Sequence, residues 1–139
     1  MSPSYHHAYL CSKIIAALSQ RTSYAIFSEL TLQIQDKDYI PDICVYPKRP
    51  INFSDADIIK MTELPVMIVE VLSPSQGSQE ALSKFRIYFD AGIKSCWLVI
   101  PISTAVIVYT ALDRAQTFHA GDIRDTVLDV ALPLAEIFA

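Results

Sequence analysis

The spacing of hydrophobic and polar positions changes several times along this chain, and each change marks an element. Between Tyr9 and Leu18, apolar Leu10, Ile14, Ala17 and Leu18 recur at helical spacing, with Ser12 and Lys13 off that stripe. This predicts an amphipathic helix. From Tyr24 to Ile34 the period falls toward two: Ile26, Leu30, Leu32 and Ile34 roughly alternate with Ser28, Thr31 and Gln33, predicting a strand. Asp36-Lys37-Asp38 reads as a polar turn and Tyr39 to Tyr46 as the next strand, so the two form a hairpin. Pro47 to Glu63 has no period and is rich in turn residues, which predicts a loop excursion. Val66 to Leu72 is a continuous apolar run, as in a central strand covered on both faces. Gln76 to Ala91 reads as a helix packed through Leu82, Phe85 and Phe89, with Gly92 as its C′ residue. Ser95 to Ile100 and Thr104 to Thr110 are strands separated by Pro101. Polar Asp113 to Asp125 predicts an edge hairpin, and Leu128 to Leu134 a late strand or extended tail.

The passage from Val66 through the helix to Ile100 implies a parallel strand pair joined by a right-handed crossover. The antiparallel hairpin before it makes the sheet mixed. The expected fold class is α/β, a mixed β-sheet flanked by helices, in a single domain spanning 1–139.

Composition narrows the function. Hydrophobic residues make up 52% of the chain and mean hydropathy is +0.31, which excludes a disordered or fibrous chain. Three glycines stand against eight prolines, and no phosphate-cradling glycine motif occurs. The net charge of −4 lacks the basic footprint of a general nucleic-acid binder, but it is compatible with acidic metal ligands whose charge an ion offsets. The cysteines, Cys11, Cys44 and Cys96, are odd in number and form no CxxC. They read as reduced thiols of a cytoplasmic protein. A zinc site from Cys11 with His6 and His7 is disfavoured, because the spacing fits no common ligand pattern. No run approaches the ~18 apolar residues of a membrane span, and no signal peptide is visible.

Against this apolar background, Asp42 and Glu70 are out of place. Asp42 follows Pro41 and heads Ile43-Cys44-Val45-Tyr46; Glu70 interrupts Val66 to Leu72. An unpaired charge in a core strand costs several kcal/mol or shifts its pKa. Alternation puts Asp42 on one face with Ile40 and Cys44, and Glu70 on one face with Ile68 and Leu72. On neighbouring strands the two carboxylates converge near one sheet end, where a shared Mg²⁺ (or Mn²⁺) would explain both. The Val71 carbonyl offers a third metal ligand. Lys84 follows on the predicted helix, with Glu80 and Tyr88 four residues to either side on the same stripe. A lysine there can orient a water or neutralise a transition state.

Pro41-Asp42, then Glu70-Val71-Leu72-Ser73-Pro74-Ser75, then Lys84 with Tyr88, Gly92, Trp97-Leu98-Val99 and Pro101, resembles the Uma family of restriction-endonuclease-like proteins within the PD-(D/E)XK nuclease superfamily. The resemblance covers roughly residues 1 to 110. It implies an αβββαβ restriction-endonuclease-like core, Asp42, Glu70 and Lys84 as catalytic residues, Asp42 and Glu70 as metal ligands, and DNA as the substrate. The superfamily lysine normally stands two residues after the second acid, where this chain has Leu72; the family pattern moves it to the helix, at Lys84. Glu80 replaces the Asp usual four residues before it. Family members carry a leading segment before a Met-Ser-Pro…His pattern that here opens the sequence. The expectation is therefore a shortened member with an exposed apolar edge, forming a homodimer or larger homo-oligomer.

Two functions remain open. The preferred one is a Mg²⁺-dependent DNA endonuclease. The alternative is a catalytically inactive nuclease fold that binds nucleic acid or a protein partner, favoured by the acidic balance and the short front. Glu29 and Glu80 are auxiliary candidates that read first as surface charges, and Tyr88 reads first as packing. His6 and His7 read as a frayed terminus, and Trp97 as core.

Overall fold

The structure, a computed structural model, describes residues 3–139; Met1 and Ser2 of the Met-Ser-Pro pattern lie outside the described residues. Helix α1 spans Tyr5–Arg21, four residues longer at its front than the hydrophobic stripe alone predicts. Ser4 caps it by accepting a hydrogen bond from the His7 N–H, which satisfies one of the open donors of the first turn. The predicted stripe of Leu10, Ile14, Ala17 and Leu18 is buried as expected.

The predicted strand over Tyr24 to Ile34 is divided into β1 (Ala25–Ser28) and β2 (Leu32–Ile34). Glu29, between them, has a φ of 51°, a left-handed conformation that ends strand pairing for a non-glycine residue. Gln35 and Asp36 also have positive φ and turn β2 into β3 (Lys37–Tyr39). The chain then enters β4 (Ile43–Tyr46), which runs antiparallel to β1. The expected hairpin therefore exists as two pieces, bent apart at Glu29 and at Ile40-Pro41.

The 47–63 excursion is irregular but anchored. Met61 exchanges backbone hydrogen bonds with Thr31 and Gln33, and the Tyr46 hydroxyl donates to the Glu63 carbonyl. Strand β5 (Met67–Val71) is buried at every position, as its unbroken apolar run predicts. Helix α2 (Ser78–Asp90) buries Ala81, Phe85 and Tyr88. The packing stripe is therefore turned by one residue from the predicted Leu82, Phe85 and Phe89. A six-residue hydrogen-bonded turn from Ile93 to Tyr88 and a shorter one from Gly92 to Phe89 close the helix. The φ of 105° at Gly92 is the left-handed C′ position that this closure needs.

The chain continues through β6 (Ser95–Ile100), β7 (Ala105–Ala111), β8 (Arg114–Phe118), β9 (Asp122–Asp125), β10 (Val130–Pro133) and α3 (Leu134–Phe138). The six-stranded sheet has the order β1-β4-β5-β6-β7-β8. Strands β5 and β6 are parallel, with Glu70 opposite Leu98, and the other pairs are antiparallel. This is the mixed α/β sheet expected, with the crossover helix in place. The polar stretch from Asp113 departs from expectation: β8 joins the main sheet, whereas β9 pairs with β10. One face of the sheet packs against α1, α3 and the β9–β10 ribbon, the other against α2 and the β2–β3 hairpin. No helix among the described residues is long and apolar enough to cross a membrane.

Candidate active site

Strands β4 and β5 are paired up to Ile43 opposite Val69. One step further, at the sheet end, Asp42 faces Glu70. Pro41, which has no N–H to donate, precedes this point, and the side chains complete the ladder instead. The Val71 N–H donates to Asp42 Oδ2 at 2.7 Å, and the Asp42 N–H donates to Glu70 Oε1 at 3.1 Å. Each acid thus accepts from the backbone of the other's strand, which fixes both at one place.

Glu70 is buried. Burial pushes its carboxyl up to about 7 from an ordinary 4.5. The Asp42 charge adds to the rise, Lys84 and the Asp42 N–H oppose it, and Glu80 adds a smaller push upward. Two carboxylates competing for one low-dielectric position form an electrostatic arrangement that a cation relieves. Lys84 is half-buried on α2 and its charge acts on Glu70. The stripe of Glu80, Lys84 and Tyr88 descends from solvent to core: Glu80 is exposed, and Tyr88 is buried edge-on to Tyr39, with ring centroids 5.9 Å apart. Tyr88 therefore packs, as the sequence favoured. Glu29 is exposed beside the site, its N–H donating to the Asp42 carbonyl.

The frayed-terminus reading of His7 is overturned. His7 is buried, and its Nε2 lies 3.1 Å from Asp42 Oδ2. The reason is periodic: positions 7, 10 and 14 share the buried stripe of α1, so the cap at Ser4 carries His7 inward. His6 is exposed. Cys11 follows one turn after His7, with Sγ 3.8 Å from His7 Nδ1. The row Cys11, His7, Asp42 has the order of a thiol nucleophile with its base, but burial and the charges of Asp42, Glu70 and Glu29 push the Cys11 thiol up to about 12. It is a neutral thiol at physiological pH and not an activated nucleophile.

A second buried acid escaped the sequence reading. Asp125 lies in the stretch read as a polar edge hairpin, yet it accepts from Ser95 Oγ at 2.5 Å, Trp97 Nε1 at 2.6 Å and the N–H groups of Val127 and Leu128. It binds the β9–β10 ribbon to β6 and lies apart from the Asp42–Glu70 pair.

The family model described as "Uma2: Putative restriction endonuclease" matches residues 1–134. The fold is similar to that in the crystal structure of a "putative nuclease belonging to DUF820" from Anabaena variabilis ATCC 29413, with a TM-score of 0.78 and 21% sequence identity over 99% of this chain and 83% of that chain. At that identity the likeness is one of fold. No curated protein matches the sequence.

Proposed function

The chain belongs to the Uma2 family of restriction-endonuclease-like proteins, and we propose that it is a Mg²⁺-dependent DNA endonuclease, with Mn²⁺ able to substitute. The reciprocal hydrogen bonding of Asp42 and Glu70 carries this reading, because it presents two acids at one sheet end with Lys84 acting on the same point. The donor set fits the ion: carboxylate oxygens, with the Val71 carbonyl as the proposed third ligand, are hard ligands suited to Mg²⁺, and the burial of Glu70 opposite Asp42 favours a counter-charge. When bound, such an ion supplies Lewis-acid stabilisation of the scissile phosphate and a more acidic attacking water.

The chain's own residues have separate tasks. Asp42 and Glu70 hold the ion and fix its place relative to the sheet. His7 holds Asp42 in orientation from α1, a role that supporting residues commonly play around a ligand carboxylate. Lys84 orients the attacking water and offsets charge on the phosphoryl oxygens as the bond to the leaving oxygen lengthens. Glu80 and Glu29 are auxiliary charges at the rim. Cleavage leaves a 5′-phosphate.

Residues 1–139 act as one domain. The exposed apolar side chains Ile51, Phe53, Ile58 and Ile59 of the 47–63 excursion support a homodimer or larger assembly. The three free cysteines, two of them buried, support a cytoplasmic setting.

The test is cleavage of duplex, nicked, branched and single-stranded DNA by the purified chain. Cutting with Mg²⁺ or Mn²⁺ that stops on chelation and in Glu70→Ala is expected. Failure on every substrate, together with no Mn²⁺ binding, would overturn the reading in favour of a nuclease-fold binding module.

A further inference from the structure

A second set of ligand-type side chains meets Asp42 from the α1 side. One ring nitrogen of His7, the Cys11 Sγ and an Asp42 carboxylate oxygen all lie within 4.8 Å of one another. The shortest contacts are made by the two different ring nitrogens: Nε2 lies 3.1 Å from Asp42 Oδ2, and Nδ1 lies 3.8 Å from Cys11 Sγ. In a tetrahedral Zn²⁺ site with ligands at about 2.0–2.3 Å, the ligand atoms stand roughly 3.3–3.8 Å apart. Side-chain rotations moving the widest pair by about an ångström therefore close the cluster. His7 and Cys11 stand one turn apart on a capped, packed helix, so the backbone already presents both on one face.

The donor types point to a particular ion. Thiolate and imidazole select borderline-soft Zn²⁺ over Mg²⁺, whereas the Asp42–Glu70 pair offers oxygen alone. The charge balance agrees: the carboxylates of Asp42, Glu70 and Glu29 all act on the Cys11 sulfur, an excess of negative charge that a divalent ion offsets. Three protein ligands leave a fourth position for water.

We propose that His7, Cys11 and Asp42 form a Zn²⁺ site that overlaps the hard-ion site at Asp42, so that the two ions exclude each other. On binding, the Cys11 S–H bond breaks, its proton passes to solvent, and an S–Zn bond forms. His7 gives a ring-nitrogen lone pair, and Asp42 a carboxylate oxygen. Zn²⁺ therefore withdraws Asp42 from the oxygen site and suppresses Mg²⁺-dependent cleavage. Only this exclusion rests on the nuclease reading; the Zn²⁺ site itself does not.

The experiment uses the full chain and Co²⁺ as a spectroscopic stand-in. A thiolate-to-cobalt absorption band, saturating at one ion per chain and removed by Zn²⁺, is expected. Cys11→Ser should lose the band, and it and His7→Gln should each weaken Zn²⁺ binding by at least roughly 10-fold with circular dichroism unchanged. Glu70→Gln should keep the band while losing cleavage, which separates this site from the nuclease site. Absence of the band in folded wild type, or unchanged Zn²⁺ affinity in Cys11→Ser, would overturn the site. Zn²⁺ that binds without weakening Mn²⁺ affinity would overturn the overlap. A normal band in a protein that never cuts DNA would sink the nuclease reading and leave the Zn²⁺ site standing.

Discussion

Asp125 and Glu70 are both buried carboxylates, 2% and 5% exposed, and their surroundings are opposite. Asp125 is ringed by four donors: a hydroxyl, an indole N–H and two backbone N–H groups. Glu70 accepts from one backbone N–H and faces another acid across the strand gap. A buried acid whose lone pairs are filled by donors from two separate segments is a fastening. One set against a second acid, with its pKa pushed up, is a place for a cation and for chemistry.

The comparison is broken or sharpened first by removing each acid in turn. Asp42→Ala and Glu70→Ala should lower metal-dependent cleavage by roughly 10³-fold or more, the several kcal/mol that a lost metal centre represents, and both proteins should still fold. Asp125→Ala should do the reverse. It strands the Ser95 hydroxyl, the Trp97 indole and the Leu128 N–H in the core and frees the partly buried Val127 N–H, costing roughly 3–5 kcal/mol of stability, readable in urea unfolding. An Asp125→Ala protein as stable as wild type would mean that the ribbon is held some other way.

The sequence announced Glu70 and concealed Asp125 for one reason. Glu70 breaks an apolar run, so its burial and its cost are both visible. Asp125 stands among Asp122, Arg124 and other polar residues, and only the fold of β9–β10 back over β6 buries it. The parallel β5–β6 pair, the crossover helix, Gly92 as its closing residue and the Asp42–Glu70 meeting were legible, because period, turn chemistry and register are local. The break at Glu29 was not, since Ile26, Leu30, Leu32 and Ile34 keep one parity across it and only its positive φ interrupts the strand. The burial of His7 was legible in principle: it lies on the stripe of Leu10 and Ile14, two residues before the predicted start of the helix. Cys11 meeting Asp42 depends on how α1 lies on the sheet, which no spacing within α1 reveals.

The raised Glu70 carboxyl makes a pH prediction for the metal-free chain. Its folded pKa of about 7 lies above the ordinary 4.5. Between those values the folded state therefore holds more protons than the unfolded state, and stability falls as pH rises, by on the order of 3 kcal/mol across the window. Glu70→Gln should abolish that difference and exceed wild type in stability at about pH 8 with chelator present. Urea unfolding of both proteins across this range measures it; parallel pH profiles for the two would contradict the assignment.

The smallest effect expected is that of Lys84→Ala, which should leave Mn²⁺ affinity nearly unchanged and reduce the cleavage rate by roughly 10²-fold, as when one transition-state stabiliser is removed. Equal loss of metal binding would instead make Lys84 a partner of the ion site.

The contrast between the two acids is tested most directly by a crystal structure with Mn²⁺, read by anomalous scattering. The account predicts an ion between the Asp42 and Glu70 carboxylates and none at Asp125. An Asp42–Glu70 pair that stays without an ion at saturating Mn²⁺, or an ion seated on Asp125 instead, would contradict it.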